Sequence, residues 1–188
     1  MPFTSAPLPG VAIFEPNIFP DDRGFFFESY NMRLFQANNI PAEFVQDNQS
    51  FSVYGVIRGL HFQREPYAQS KLVRVISGKI LDVIVDLRTG SPGFGKYFSI
   101  ELSAENKKQL FIPRGFAHGF SVLSETAELA YKCDQFYNKQ SESGISYNDA
   151  GLEIDWQIPA DKALISAKDA LLPDFNPTLK EFIFKPDA

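Results

Sequence analysis

Two histidines, His61 and His118, are the side chains of this sequence best suited to acid–base chemistry near neutral pH. They are the only histidines among 188 residues, and glycine and aromatic residues surround both. Histidine is the usual general base in proteins because its ordinary pKa lies near neutrality. We therefore predict that both side chains belong to a functional site, rather than serving as hydrogen-bonded structural residues.

The sequence argues against other common chemistries. A metal centre on an all-β scaffold usually takes two or three histidines and a carboxylate, and no His-x-His pair follows His61. Gly-x-Ser-x-Gly and helix-opening phosphate loops are absent, and Cys133 has no evident activating partner. We therefore expect no catalytic metal. What remains is acid–base chemistry with a histidine base, an orienting carboxylate, a tyrosine acid and cations.

Composition indicates a globular domain of ordinary polarity. A net charge of −5 argues against nucleic acid as a partner, and 44% of the residues are hydrophobic. No signal peptide and no membrane-spanning apolar stretch is evident, and the single cysteine rules out an internal disulfide. We expect one domain over residues 1–188, a cytoplasmic location, and no nucleic-acid or membrane partner.

Alternating apolar and polar residues predict many short strands through the middle of the chain. The runs Lys71–Ile76 and Lys79–Leu87 flank Ser77-Gly78, which predicts a hairpin. Further strands are expected over 97–102, 109–112, 119–123 and 127–137. Only two short helices are expected, Ser29–Asn38 and Ser166–Leu172. This pattern is typical of an all-β jelly-roll barrel or sandwich with a few short helices.

Strand alternation also predicts which polar side chains share a face. The run from 44 to 50 groups three polar residues that either face solvent or line a site: Gln46, Asn48 and Ser50. Tyr131 and Tyr137 face the same way, either in the core or in a site. Around His61, regular alternation would group four residues and place Arg58 opposite them, unless the strand bulges at Gly59: Ile57, Gly59, His61 and Gln63.

Seven short motifs occur in order along essentially the whole chain: Asp22–Glu28, Gln46–Ser50, Arg58–Gln63, Lys71–Val75, Pro113–Phe120, Tyr131–Cys133 and Tyr137–Asn138. This ordered set resembles the dTDP-4-dehydrorhamnose 3,5-epimerase family. The resemblance implies a cupin-like jelly-roll homodimer that uses no cofactor and no metal. The implied substrate is dTDP-4-keto-6-deoxyglucose, epimerised at C3 and C5.

The same likeness implies roles for individual residues. His61 matches the catalytic base, and Asp169 matches the carboxylate that pairs with it. Tyr131 matches the acid that protonates the opposite face of the sugar, and Lys71 matches the cation that stabilises the enolate oxygen. The expected substrate contacts are Arg23, Glu28, Gln46, Asn48, Arg58, His118, Tyr137 and Lys168. In the family the arginine matched by Arg23 can come from the partner subunit.

The reaction implied by the resemblance agrees with the catalytic groups inferred from the residues, a histidine base, a carboxylate, a tyrosine acid and cations. A 4-keto group acidifies the C–H bonds at C3 and C5, and a nearby cation stabilises the resulting enolate. Three alternatives remain open at this point. They are a single-carbon epimerase acting at C3 or C5 only, a non-catalytic sugar-nucleotide-binding jelly roll, and a metal-dependent cupin oxygenase. From the sequence alone, Lys168 and Asp169 could equally lie on the solvent-exposed face of a helix.

Overall fold

The structure, a computed structural model, describes residues 2–40, 43–178 and 180–186. The strands in chain order are β1 (Phe3–Ser5), β2 (Ala12–Phe14), β3 (Phe19–Asp21), β4 (Gly24–Phe26), β5 (Gln46–Val53), β6 (Val56–Gln63), β7 (Lys71–Ser77), β8 (Lys79–Asp86), β9 (Arg88–Thr89), β10 (Tyr97–Ser103), β11 (Gln109–Ile112), β12 (Phe116–Val122), β13 (Thr126–Cys133), β14 (Glu142–Gly144), β15 (Leu164–Ile165) and β16 (Phe182–Ile183). The helical segments are α1 (Met32–Gln36) and two 3₁₀ turns, η1 (Ala160–Lys162) and η2 (Asp169–Leu171).

Two sheets face each other and form a jelly roll, which confirms the all-β prediction. The first sheet has the strand order β1-β2-β11-β7-β13-β5. The second has the order β10-β8-β12-β6-β14, with β15 added in parallel to β6. The short hairpin β3–β4 pairs only with itself within the described residues.

Three apolar clusters hold the layers together because strand side chains alternate between two faces. The central cluster lies between the sheets and includes Val73, Ile84 and Phe120. The outer face of the second sheet packs beneath later segments that contribute Trp156. The outer face of the first sheet packs against α1 through the fully buried Phe35.

The predicted hairpin at Ser77-Gly78 is wrong. The two flanking strands form as β7 and β8, but β7 pairs with β11 and β13, whereas β8 pairs with β10 and β12. The chain therefore crosses from one sheet to the other at Gly78, which has a φ of +76°. A side chain there would collide with the carbonyl of Thr126, so glycine suits this corner.

The helix predictions are too long. The first shortens to Met32–Gln36, where the side chain of Asn31 accepts a hydrogen bond from the Leu34 N–H at 3.2 Å and begins the helix. The second shrinks to the single turn Asp169–Leu171. The strand expected to reach residue 137 ends at Cys133, so alternation says nothing about Tyr137.

Within the part of the chain that the structure describes, no helix is long and apolar enough to span a bilayer.

Candidate active site

His61 and Asp169 form a polar pair beside the space between the two sheets, which we call the cavity. Nε2 of His61 lies 2.7 Å from Oδ1 of Asp169, whose side chain is only 5% exposed. The backbone N–H of Gly59 donates to Oδ2 of the same carboxylate at 3.2 Å. The Asp169 N–H in turn donates to Oγ of Ser166 at 3.0 Å. The carboxylate is thus fixed before any ligand binds.

This contact determines which nitrogen of His61 can accept a proton. An ionised carboxylate only accepts hydrogen bonds, so Nε2 carries the hydrogen and Nδ1 is left as the free nitrogen. Burial lowers the pKa of His61, while the hydrogen bond and the charge of Asp169 partly oppose that shift. The ring is therefore neutral near neutral pH, which is the form that a general base needs.

An irregularity in β6 brings Arg58 and His61 to the same side of the sheet. His61 pairs with His118 in β12, and Arg58 pairs with Phe120, so the register shifts between these two pairs. Regular alternation, which would have grouped Ile57 with His61, is therefore wrong: Ile57 packs in the outer cluster of the second sheet. A β-bulge turns side chains in this way.

Glycines make that bulge possible. Gly59 has a φ of +119°, a conformation that other residues rarely adopt. A Cβ at Gly59 would lie 2.6 Å from the Cα of Gly119 in β12, closer than real Cβ contacts allow. The two strands that carry the histidines can therefore approach only because both positions lack side chains.

Lys71 and Tyr131 face the cavity from the first sheet. Nζ of Lys71 lies 5.9 Å from the centroid of the Tyr131 ring. Burial raises the pKa of Tyr131, so its hydroxyl stays protonated near neutral pH. Burial lowers the pKa of Lys71. A proton donor and a cation thus lie across the cavity from the His61 base.

The polar stripe of β5 is linked by a directional series of hydrogen bonds. The Tyr137 N–H donates to Oε1 of Gln46, and Nε2 of Gln46 donates to Oδ1 of Asn48, both at 3.0 Å. Nδ2 of Asn48 then donates to Sγ of Cys133 at 3.6 Å. Burial raises the pKa of the Cys133 thiol to about 11, so it is uncharged at neutral pH and unsuited to act as a nucleophile.

Glu142 is a member of the site that the sequence did not reveal. Its carboxylate accepts a hydrogen bond from the Tyr137 hydroxyl at 2.9 Å and pairs with Nζ of Lys168 at 2.5 Å. Burial tends to raise the pKa of Glu142, but the bonds from Lys168 and Tyr137 outweigh it and lower the pKa overall. Its sequence context, Ser-Glu-Ser-Gly, resembles an ordinary loop and gave no signal.

His118 is bound to a second carboxylate. Its Nε2 lies 2.9 Å from Oδ2 of Asp82, and the side chains are 9% and 0% exposed. The structure therefore contains two histidine–carboxylate pairs, whose histidines lie on the neighbouring strands β6 and β12. Asp82 carries no motif, so only its place in an alternating run could have drawn attention to it.

Two expected contacts lie apart from the cavity within one chain. Arg23, on the hairpin β3–β4, is 90% exposed and pairs with Asp21 at 2.6 Å. Glu28 is exposed, and its carboxylate accepts a hydrogen bond from Nδ2 of Asn31 at 3.0 Å. Among the described residues, neither side chain makes a hydrogen bond or ion pair with the residues around His61.

The arrangement can remove a proton on one side of a ligand and deliver one on the other. The base lies on the second sheet, the acid and the cation lie on the first, and polar groups line the approach. Over residues 2–40, 43–178 and 180–186, no three histidine, cysteine or acidic side chains come together as a metal ion would require.

Known proteins with similar sequences include several dTDP-4-dehydrorhamnose 3,5-epimerases. The family model described as dTDP-4-dehydrorhamnose 3,5-epimerase matches residues 5–177. The dTDP-4-dehydrorhamnose 3,5-epimerase of Shigella flexneri is 55% identical over 163 residues, covering 86% of this chain and 89% of the relative.

Two solved structures with similar folds agree with the sequence relatives. The enzyme of that description from Elizabethkingia anophelis superposes with a TM-score of 0.88 at 51% identity, covering 92% of this chain and 95% of that one. An epimerase from Legionella pneumophila, solved in complex with dTDP-4-keto-L-rhamnose, superposes with a TM-score of 0.86 at 44% identity, covering 93% and 98%.

Proposed function

The chain belongs to the dTDP-4-dehydrorhamnose 3,5-epimerase family, and from that membership we propose how its own residues carry out the reaction. It is an enzyme of the isomerase class. The substrate is dTDP-4-keto-6-deoxyglucose, and inversion at C3 and C5 yields dTDP-4-keto-L-rhamnose. The observation that carries the mechanism is the fixed His61–Asp169 pair facing Tyr131 across the cavity.

His61 removes the proton from C3 or C5 through its free Nδ1. The electron pair of the C–H bond moves into the ring and onto the carbonyl oxygen, forming an enolate. Asp169 stabilises the imidazolium that forms, because a carboxylate beside a protonated ring favours the charged state. Tyr131 then donates its hydroxyl proton to the opposite face of the same carbon. Exchange with solvent returns both side chains to their starting states.

Lys71 stabilises the enolate oxygen. A cation in a buried site stabilises developing negative charge more strongly than it would in water. The free nitrogen of His118 lies at the end of the same cavity that His61 lines, since the two residues are register partners. A second inversion repeats the same proton transfers at the other carbon.

The nucleotide part of the substrate lies toward the open end of the cavity. Arg58 and Lys168 are exposed there, and cationic side chains bind pyrophosphate through charge-assisted hydrogen bonds. Gln46 and Asn48 present oriented amides along the wall. The Tyr137 ring is 54% exposed and therefore free to stack on the thymine base.

We further propose that the enzyme is a homodimer in which Arg23 acts in the partner's site. The hairpin that carries Arg23 exposes three large apolar side chains, Phe19, Phe25 and Phe26, at 61%, 59% and 70%. Phe19 and Phe26 are register partners and share one face, and large exposed apolar side chains grouped in this way indicate an interface. Arg23 is exposed and pairs with Asp21 of its own hairpin, so a second copy would give both the hairpin and its arginine a place to bind.

Mixed dimers test this proposal. Co-expressed Arg23→Ala and His61→Ala chains, tagged differently and purified as heterodimers, have one site with both defects and one with neither if Arg23 acts across the interface. We expect such heterodimers to recover about half of the wild-type activity, although each homodimer is impaired. Activity no higher than that of the parent homodimers would show that Arg23 acts within its own chain.

The reaction itself is tested by incubating the wild-type protein with dTDP-4-keto-6-deoxyglucose in D2O and following the sugar by NMR. Deuterium at both C3 and C5 with inverted stereochemistry supports the double epimerase. Label at one carbon would identify a single-carbon epimerase instead, and binding without label would identify a non-catalytic module. The single domain over residues 1–188 and the cytoplasmic location remain predictions.

A further inference from the structure

A buried carboxylate with one unsatisfied oxygen lies at the closed end of the cavity. Asp82 is 0% exposed, and its Oδ2 bonds to His118. Its other oxygen, Oδ1, is buried and makes no hydrogen bond to any described residue. Such a group is costly to keep charged unless cations lie nearby. Its presence among apolar side chains therefore calls for an explanation.

The position of Asp82 on β8 explains what surrounds it. Its neighbours on the same face of the strand, Ile80 and Ile84, are fully buried in the central cluster. The residue paired with it in β12 is Phe120, which also belongs to that cluster. Packing alone would favour another apolar residue here. The carboxylate binds His118, and its negative charge acts on Lys71 of the other sheet.

Lys71 is the cation that can balance this charge. Burial lowers its pKa, and the charges of Cys133, Asp82 and Glu142 act in the opposite direction. The Cys133 thiol is uncharged at neutral pH, and Glu142 is already bound to Lys168 and Tyr137. Asp82 is therefore the remaining carboxylate that can keep the ammonium of Lys71 charged.

The other groups facing Lys71 do not replace Asp82. The Tyr131 ring offers only its face, 5.9 Å away, and the neutral His61 base adds no negative charge. Lys71 makes no direct ion pair with a carboxylate among the residues that the structure describes. Its ammonium is thus left available for a ligand, while the more distant carboxylate compensates its charge.

We propose that Asp82 is a positioning residue for the reaction, because it orients His118 and serves as the buried counter-charge of Lys71. This inference rests on the proposed function, in which Lys71 stabilises the enolate oxygen and His118 lines the same cavity. A carboxylate accepts but does not donate, so it fixes Nε2 of His118 as the protonated nitrogen. Asp82 acts through these two side chains and does not itself touch the sugar.

The first test is Asp82→Asn in the full-length enzyme. We expect kcat to fall about tenfold or more and KM to change by less than about twofold, because the nucleotide contacts lie elsewhere. Removing a negative charge near Lys71 lowers its pKa further. The alkaline limb of the kcat–pH profile should therefore move to lower pH by roughly one unit.

Asp86→Asn is the matched control. Asp86 lies four residues further along β8, is equally buried, and binds Arg88 at 2.7 Å and Ser91 at 2.6 Å, outside the cavity. The Asp86→Asn substitution removes the same charge and should lower the melting temperature. It should leave the alkaline limb of the kcat–pH profile in place. An equal shift of the limb in both variants would attribute the effect to general destabilisation and overturn the proposal.

A second measurement does not depend on whether Asp82→Asn folds. The untagged wild-type chain has only two histidines, so ¹⁵N-histidine labelling gives two ring systems, and His61→Asn leaves that of His118 alone. We expect Nε2 of His118 to carry a proton at neutral pH. A ring protonated only at Nδ1 would overturn the proposal, even if no Asp82 variant could be purified.

These experiments distinguish a failure of the role proposed for Asp82 from a failure of the proposed function. A wild-type enzyme that epimerises, combined with an Asp82→Asn enzyme of normal kcat and unchanged alkaline limb, would overturn the role of Asp82 alone. A wild-type chain that fails to exchange deuterium would overturn the proposed function. In that case the ¹⁵N spectrum would still decide whether Asp82 orients His118.

Discussion

The carboxylate of Asp169 lies 2.7 Å from Nε2 of His61, although 108 residues separate them along the chain. The backbone N–H of Gly59, two residues before His61, binds the other oxygen of that carboxylate. Strand β6 therefore carries both the base, His61, and the Gly59 N–H that orients the carboxylate of Asp169. This arrangement leaves Nδ1 as the free nitrogen and sets the direction of proton transfer.

Asp169→Asn tests the orienting role of the carboxylate. An amide can donate to the ring, which would favour the wrong tautomer, and it cannot stabilise the imidazolium. We expect kcat to fall by about 10²- to 10⁴-fold, measured as epimerisation rate under saturating substrate. Asp161→Asn, an exposed position in η1, is the control and should retain wild-type activity. A fully active Asp169→Asn enzyme would remove Asp169 from the mechanism.

Tyr131→Phe separates proton removal from reprotonation. The variant keeps the half-buried ring but loses the hydroxyl that donates on the opposite face. In D2O, His61 can still remove a proton and return a deuteron to the same face. We therefore expect deuterium to enter without inversion, as judged by NMR coupling constants. Inversion at the wild-type rate would show that another group is the acid.

The pH dependence follows from two opposite requirements. His61 must be neutral, and its pKa lies below its ordinary value of 6.5 because of burial. Activity should thus hold down to pH 6.5 and fall only below it, as the ring becomes protonated. Lys71 must be charged, and burial places its pKa below 10.5, so activity should decline before that pH. A profile of kcat/KM against pH checks both limbs, and an acid limb centred above 6.5 would contradict the assignment of His61.

Gly59→Ala tests the close approach of β6 and β12. Gly59 and Gly90 both have positive φ, but a Cβ at Gly59 meets Gly119 at 2.6 Å, whereas a Cβ at Gly90 meets nothing within 4 Å. Gly90→Ala should lower the free energy of unfolding by about 1 to 2 kcal/mol, and Gly59→Ala by about 2 to 5 kcal/mol with loss of activity. Denaturant unfolding measures both, and equal costs would argue against the steric explanation.

Strand alternation predicted the parts of the site that regular strands build. The grouping of Gln46 with Asn48 is confirmed, because β5 is regular over that stretch and its period of two survives folding. The position of Arg58 relative to His61 could not be predicted, since it depends on a register shift between two strands. Local patterns carry no information about which residue a bulge leaves unpaired.

Long-range contacts could not be predicted from the sequence for a different reason. Glu142 reaches the site because β14 lies beside β6, the strand of His61. Asp82 reaches it because β8 lies beside β12, the other neighbour of β6, and strand order is a property of the whole sheet. The wrong hairpin at Ser77-Gly78 has the same origin. A turn sequence fixes the local reversal of the chain but not whether the two strands join the same sheet.

Deuterium exchange by His61→Asn is the most direct test of the central claim, that His61 is the base for both carbons. The variant would be incubated with dTDP-4-keto-6-deoxyglucose in D2O beside the wild type, with dTDP affinity measured as evidence of an intact site. The mechanism predicts normal affinity and exchange at C3 and C5 slowed by about 10²- to 10⁴-fold. Near-normal exchange at either carbon would contradict it and assign that proton to a different base.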